Sequence, residues 1–317
     1  MKIVVTGALG HIGSHLIRDL PARIPGCEIV MVDSMMMQRY ASLFNLPAIA
    51  RYRFVEGDVT SLDLARVFEG ARAVVHLAAI TDAAGTLDKA DTIEANNFQG
   101  TRKVAEACIA AGARLISLSS TSVYGTQKNV VAEDCAADDL KPQSPYARTK
   151  LDEERLVREL VEKKGLRAAT FSFGTIFGVS PGMRFHTSVN RFCWQAVMGE
   201  PLTVWRTAYD QKRPYLDLAD AGRAIAFAID KDLFDGRIYN ILTLNATVRQ
   251  LVETIKEFVP ALKMKSVDSP LMNQFSYEVS AQRIRDQGFA FTGDLKRGIG
   301  DSIALLAASA GGLPAFG

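Results

Sequence analysis

Two side chains set the chemistry this sequence can be expected to perform. Tyr146 and Lys150 stand four residues apart in a helical pattern over 145–164, and positions four apart share one face of a helix. A phenol with an ordinary pKa of about 10 is a poor base at neutral pH; bringing it to about 7 needs roughly 4 kcal/mol of preference for the phenolate. A lysine ammonium at ~4 Å supplies about that much at an effective dielectric of 20. The run Ser119-Ser120-Thr121-Ser122-Val123-Tyr124-Gly125 directly follows a candidate strand, a position from which the Ser120 hydroxyl can relay a proton between a substrate and the tyrosine. Removal of a proton from an alcohol is the chemistry implied. A Tyr-x-x-x-Lys spacing is common on solvated helices, so its companions upstream decide its meaning.

Those companions describe a dinucleotide site. Gly7, Gly10 and Gly13 fall between a β-branched run and an amphipathic one, where missing side chains permit a tight turn, close approach of a pyrophosphate to backbone N–H groups, and close helix-to-strand packing. His11 and Ile12 lie in the same turn. The spacing is GxxGxxG rather than GxGxxG, and a glycine-rich turn alone also serves plain packing. Asp33 follows Gly13 by 20 residues at the end of the second candidate strand. A carboxylate there accepts hydrogen bonds from the adenine ribose and repels a 2′-phosphate, which favours NAD over NADP, with Arg39 a possible phosphate partner. Asp58 and Val59 follow the third strand, and Leu77, Ala78 and Ala79 follow the fourth, at the carboxyl ends where ligands meet an open α/β sheet. His76 reads as a packed, hydrogen-bonded histidine.

The elements that must position these groups alternate strand and helix. Strands are expected over Lys2–Thr6, Glu28–Val32, Tyr52–Glu56, Ala73–Leu77, Arg114–Leu118 and Arg167–Phe173, and helices over 11–20, 61–69, 92–112 and 145–164. Gly112 and Gly165 stand where helix C-caps belong. This order predicts an α/β fold, a Rossmann-type doubly wound parallel sheet with a smaller C-terminal substrate-binding lobe. The NAD-binding domain is expected over 1–173 with a return segment about 213–241, and the lobe over 174–212 and 242–317. Within these, a helix is expected over 187–198, a strand over Pro214–Leu218 and a helix over Ala219–Ile229. The tail Ala307 to Gly317 is rich in small residues and glycine.

Composition narrows the partners. The 317 residues are 48% hydrophobic and 23% charged with a formal net charge of +2, and no block of like charge marks a nucleic-acid or anionic-membrane surface. No apolar run reaches the ~18 residues of a membrane span. Cys27, Cys108, Cys135 and Cys193 are widely spaced without a CxxC, which fits a reducing cytoplasm rather than a disulfide framework or zinc ribbon. His11 and His15 have a spacing metals use, but no third ligand is evident and no metal is assigned. Met35-Met36-Met37 is read either as a soft flank for adenine or as a loop or oligomer contact. Thr203-Val204-Trp205-Arg206 is read either as a stacking and backbone edge for a base or as ordinary packing.

As a set and in this order, Thr6 to Leu16, Gly57-Asp58-Val59, His76 to Ala79, Ser119 to Gly125 and Tyr146 to Lys150 resemble the extended short-chain dehydrogenase/reductase family, particularly NAD-dependent sugar-nucleotide epimerases. The resemblance covers most of residues 1–180. It implies Tyr146, Lys150 and Ser120 as catalytic residues, with Asn97, Ser119 and Thr175 joining the cofactor set. Thr121, Ser122, Arg184, Asn190, Val204, Arg206 and Arg213 are implied at the substrate, Arg213 with the diphosphate. Relatives that eliminate water resemble Thr-Asp-Glu before Val-Tyr-Gly, and several decarboxylating ones carry Ser/Thr-Glu; here Ser120-Thr121-Ser122 lacks those acids.

The expectation is therefore a homodimeric C4 epimerase acting through a transient 4-keto intermediate, on a UDP-sugar or a related nucleotide sugar. A dehydrogenase or ketoreductase that releases its reduced cofactor is the rival, and a non-catalytic NAD sensor is disfavoured by the presence of both Tyr146 and Lys150. Departures from the pattern are His11 in place of an aromatic, Pro214 after Arg213, Phe171 to Thr175 without the frequent arginine and asparagine, and no second diphosphate arginine around Ser269 to Tyr277.

Overall fold

The computed structural model describes residues 1–81, 90–125, 130–268 and 276–310. In chain order its first half holds β1 (Lys2–Thr6), α1 (His11–Arg23), β2 (Glu28–Asp33), β3 (Arg51–Glu56), α2 (Leu64–Phe68), β4 (Ala71–His76), α3 (Ala90–Ala111), β5 (Arg114–Ser120), β6 (Val130–Val131) and α4 (Pro145–Lys164). The second half holds β7 (Ala168–Phe173), β8 (Thr175–Phe177), α5 (Ser188–Val197), β9 (Leu202–Trp205), β10 (Lys212–Asp217), α6 (Leu218–Asp230), β11 (Ile238–Ile241), β12 (Leu244–Thr247), α7 (Val248–Phe258), β13 (Met264–Val267), β14 (Glu278–Val279), α8 (Gln282–Asp286) and α9 (Leu295–Ala307).

Seven of these strands form a parallel sheet in the order β11-β7-β5-β4-β1-β2-β3. The chain builds outward from β1 to β3 and then returns to place β4 on the other side of β1, with Thr6 between Val32 and His76. That reversal opens a crevice at the carboxyl ends of β1 and β4, the place where an open α/β sheet receives its ligand. Both faces of the sheet are covered. One apolar cluster joins Ile3, Val5, Leu16, Ile17, Phe171 and Ile225, and a second joins Val4, Val30, Phe68, Val74, Val104 and Leu115. Strand β7 is buried at every position, its Thr170 and Ser172 included, so its sequence shows no alternation of apolar and polar residues.

Local signals explain most helix limits. Ser144 accepts a hydrogen bond from the Ala147 amide and Pro145 takes the first helical position, which starts α4; Gly165, at φ 70°, ends it, its N–H donating to the Leu160 carbonyl. Two expected helix limits differ by three residues. Helix α1 runs through Pro21 to Arg23 instead of stopping at 20, because the missing proline N–H removes only one bond from a side buried in the core, and the Ile24 N–H still closes on Leu20 at 2.8 Å. Helix α2 starts at Leu64 rather than 61, since Asp63 accepts the Arg66 amide as its N-cap and the preceding residues fold onto the Asp58 carbonyl.

Beyond β7 the chain leaves the sheet. Strands β12, β10 and β8 form a small sheet, and α5, α7 and α9 pack through a separate cluster containing Phe177, Val189, Phe192, Leu251, Ile255, Ile299 and Ile303. Between them α6 packs on α1, and β11 adds to β7. At the end of the sheet away from the crevice, Arg72, Arg114 and Arg167 converge on Asp232 at 2.9, 2.6 and 2.7 Å, tying α6 to the starts of β4, β5 and β7. The last residues of the tail, 311–317, lie outside the described residues, as does most of the segment Ser269 to Tyr277.

Candidate active site

The crevice is a cavity of about 460 Å³, and every residue the sequence assigns to the cofactor stands on its wall. Gly7 sits at φ 64°, and a Cβ there would lie 2.6 Å from the Ala78 nitrogen. A Cβ on Gly13 would lie 2.3 Å from the Gly7 carbonyl oxygen. These two glycines let β1, β4 and α1 meet. Gly10 is less crowded, its nearest contacts being the Gly7 oxygen at 3.3 Å and Arg39 Nη1 at 3.8 Å, so its bare face leaves room beside a guanidinium. Gly10 caps α1 without a side-chain bond, which leaves first-turn N–H groups for an anion. Asp33 accepts the Leu9 and Met35 amides, each at 3.0 Å, and this fixes its carboxylate at the far wall.

Other wall residues hold the cavity in shape. Asn97 both accepts from and donates to the Ile80 backbone, at 2.8 and 2.9 Å, and so pins the segment after β4. His11 Nε2 donates to the Gly178 carbonyl at 2.9 Å, because a carbonyl can only accept. Burial pushes the His11 imidazole down to about 4, so it is neutral at pH 7 and fills an aromatic's place while tying α1 to the loop after β8. His76 is held between Thr6 and Thr101 hydroxyls at 2.8 and 3.3 Å, and burial followed by the Lys150 charge pushes it down to about 3.

At the other end, α4 delivers Tyr146 and Lys150 to the wall and β5 delivers Ser119 and Ser120. Lys150 Nζ lies 5.8 Å from the centre of the Tyr146 ring. Moreover, Lys150 donates to Glu153 Oε2 at 2.8 Å, with the two side chains only 8% and 3% exposed. The result is a tyrosine held above its ordinary pKa: burial raises it, Lys150 lowers it, Glu153 raises it again, and Arg184 lowers it. The lysine stays above its ordinary value because Glu153, with Tyr146 and Glu154, outweighs the lowering by burial. One cation is thus insufficient, contrary to the estimate from spacing. The sequence signal that was missed is Glu153 itself, three residues after Lys150 and therefore on the same face.

Ser120 Oγ accepts from the Ser122 amide at 3.2 Å and from the Ser122 hydroxyl at 2.9 Å. With both lone pairs engaged, its own proton remains free to be donated into the cavity. Ser122 therefore orients Ser120 from behind.

The residues implied at the substrate are dispersed. Arg184 lines the cavity, donates to the Thr81 hydroxyl, and acts on Tyr146 electrostatically. Asn190, fully buried, positions that arginine's loop by donating to the Arg184 carbonyl at 3.0 Å. Thr121 and Ser122 lie behind the wall, Thr121 donating to the Phe173 carbonyl at 3.2 Å. Val204 is packed in the apolar cluster of the small lobe, and Arg206 is 71% exposed beside Asp268 at 3.5 Å. The Arg213 guanidinium stacks over the Tyr277 ring at 5.2 Å, and Tyr277 donates to the Thr121 carbonyl at 3.1 Å, which links β10 to the segment after β5. Residues not assigned from the sequence but present on the wall include Ser34, His186 and Thr187; Met36, Met37 and Arg39 are there as well. Among the described residues no group of three or more side chains is arranged to hold a metal ion, and no helix is long and apolar enough to cross a membrane.

Comparison with known proteins places this geometry. A family model described as the NAD dependent epimerase/dehydratase family matches residues 3–241. The uncharacterised UDP-glucose epimerase YtcB of Bacillus subtilis is 30% identical over 249 residues, covering 76% of each chain. A trifunctional UDP-glucose 4,6-dehydratase/UDP-4-keto-6-deoxy-D-glucose 3,5-epimerase/UDP-4-keto-L-rhamnose-reductase of Arabidopsis thaliana is 28% identical over 304 residues, 91% of this chain and 44% of that one. Among solved structures, DesIV, a dTDP-glucose 4,6-dehydratase from Streptomyces venezuelae with NAD and TYD bound, superposes with a TM-score of 0.85 at 25% identity over 98% of each chain.

Proposed function

The chain belongs to the NAD dependent epimerase/dehydratase family, with an extended short-chain dehydrogenase/reductase fold, and from that membership we propose that it is a C4 epimerase of nucleotide sugars, UDP-sugars foremost. The residues present fit an NAD. The first-turn amides of α1 and the Arg39 guanidinium would hold the pyrophosphate, and the Asp33 carboxylate would accept from the adenine ribose. When bound, oxidised NAD supplies a hydride acceptor and a positive charge at the catalytic end.

The remaining chemistry belongs to side chains. Tyr146 takes the proton of the C4 hydroxyl, with the Ser120 hydroxyl donating to the C4 oxygen, and later returns the proton to that oxygen once the 4-keto sugar has turned. Lys150 and Arg184 offset the cost of its phenolate. The observation that carries the choice of epimerisation is the hydrogen bonding after β5. Where dehydrating relatives carry acids, Ser122 is committed to orienting Ser120 and Thr121 to the Phe173 carbonyl. Among the described wall residues, the groups beside Tyr146 and Ser120 support one reversible proton transfer, without a further carboxyl group for elimination or decarboxylation.

The purified protein, incubated with UDP-sugars without added cofactor, is expected to form the C4 epimer with no stoichiometric rise at the reduced-nicotinamide absorbance band. A stoichiometric rise without epimer would assign the rival dehydrogenase activity.

A further inference from the structure

Helix α4 carries a run of charge, Asp152-Glu153-Glu154-Arg155, that resembles a solvated face, yet Glu153 is 2% exposed and Glu154 5% exposed. Three residues past Lys150, Glu153 lies on that residue's face and accepts from its ammonium at 2.8 Å. Its second oxygen, Oε1, has no hydrogen-bond partner among the described residues. A buried ion pair is at best neutral for stability against well-packed apolar side chains, and an unpartnered carboxylate oxygen makes it worse. Packing alone would be served better by a leucine. What the carboxylate does supply is direction: a lysine head has three donors on a flexible stem, and one short bond from a rigid helix fixes where its charge sits.

We propose that Glu153 is a positioning residue of the reaction, holding Lys150 Nζ in a buried ion pair and so dividing the ammonium's charge between a carboxylate and the Tyr146 phenol. This rests on Tyr146 being the base of the proposed reaction. Its consequence is that Lys150 by itself leaves Tyr146 protonated, and full acidity waits for further positive charge at the cavity.

The groups around the pair are few. On α4 they are Tyr146, Glu154, which burial raises to about 7 against the Ser119 hydroxyl, and Arg158 beyond it. From β4 comes His76, neutral at pH 7, and from the loop after β8 comes Arg184. Helix α3, which packs on α4, buries Asn97, Thr101, Val104, Ala105 and Cys108, and burial raises the Cys108 thiol far above neutrality. None of these replaces Glu153 as the partner of Lys150.

The test is the phenol titration of Tyr146 in the full chain, read as the ultraviolet tyrosinate difference between each protein and its Tyr146→Phe counterpart. Glu153→Gln is expected to lower that titration by about one to three pH units, and to move the alkaline-rising limb of kcat by the same amount. Glu153→Asp, which shortens the reach by one methylene, is expected to move it in the same direction and supplies the reading if the glutamine variant does not fold. A thermal midpoint that changes while the phenol titration stays fixed would overturn the proposal. A phenol shift in a protein that turns over no nucleotide sugar would uphold the role of Glu153 and remove the epimerase reading instead.

Discussion

Replacing Lys150 by methionine should separate two quantities that the wild-type pair joins. The variant leaves Glu153, with a side chain 3% exposed, in the interior without its counter-charge, and removing one partner of a buried pair costs about 3–5 kcal/mol. It also removes the cation beside the Tyr146 ring, and losing an opposite charge within ~4–6 Å moves a pKa by about 1–3 units, which corresponds to roughly a 10- to 1,000-fold loss of turnover at fixed pH. The double variant Lys150→Met/Glu153→Leu exchanges the pair for apolar side chains, so stability should return to within about 1 kcal/mol of the parent while turnover stays low. Urea midpoints at one protein concentration give the first quantity, and initial rates of nucleotide-sugar conversion give the second. A single variant as stable as the parent would mean that Glu153 is not buried against Lys150. A double variant as active as the parent would refute the claim that Lys150 acts on Tyr146.

Three other perturbations test other parts of the site. Asp33→Ala removes an acceptor for a ribose hydroxyl, so NAD should bind about 10- to 100-fold more weakly while NADP gains relative to it; an unchanged ratio would contradict the ribose assignment. Gly13→Ala must displace the Gly7 carbonyl, 2.3 Å from the new Cβ, and should destabilise by about 1–3 kcal/mol and abolish NAD binding, whereas Gly10→Ala, at 3.3 Å, should be milder in melting experiments; the reverse order would refute the packing argument. His11 is held at about 4, below its unfolded value, so the unfolded chain binds the extra proton between pH 6.5 and 4 and stability falls as pH drops through that window. His11→Phe should lose about 1 kcal/mol at pH 7 with the Gly178 carbonyl bond, yet its stability should decline by about 2 kcal/mol less between pH 7 and 5; parallel pH profiles would contradict the burial of a neutral imidazole.

The parallel sheet was legible because inner strands such as β1 and β2 are buried on both faces and declare themselves as apolar runs, and because Ser144, Pro145 and Gly165 mark helix ends by local chemistry. The cofactor wall was legible for a related reason: Gly7, Gly13 and Asp33 act at turns and strand ends, where residue type follows from backbone geometry. The small sheet β12-β10-β8 was not, since its short strands gain meaning only from partners distant in sequence, such as Arg213 opposite Ala246. Arg206 and Val204 illustrate the same limit, because residues two apart in one motif ended on the surface and in the core. Glu153 was hidden by its neighbours: a four-residue charged run suggests solvent, and only the packing of α3 and β5 against α4 reveals which of those charges are buried.

The measurement that bears most directly on the epimerase assignment follows the hydrogen on C4. A UDP-sugar deuterated at that carbon, incubated with the protein and no added cofactor, is expected to yield the C4 epimer with deuterium retained at C4, because hydride and proton return to the carbon and oxygen they left. Deuterium at C6 of a 4-keto product would demonstrate elimination of water, and deuterium in released reduced cofactor would demonstrate a dehydrogenase; either result would contradict the account.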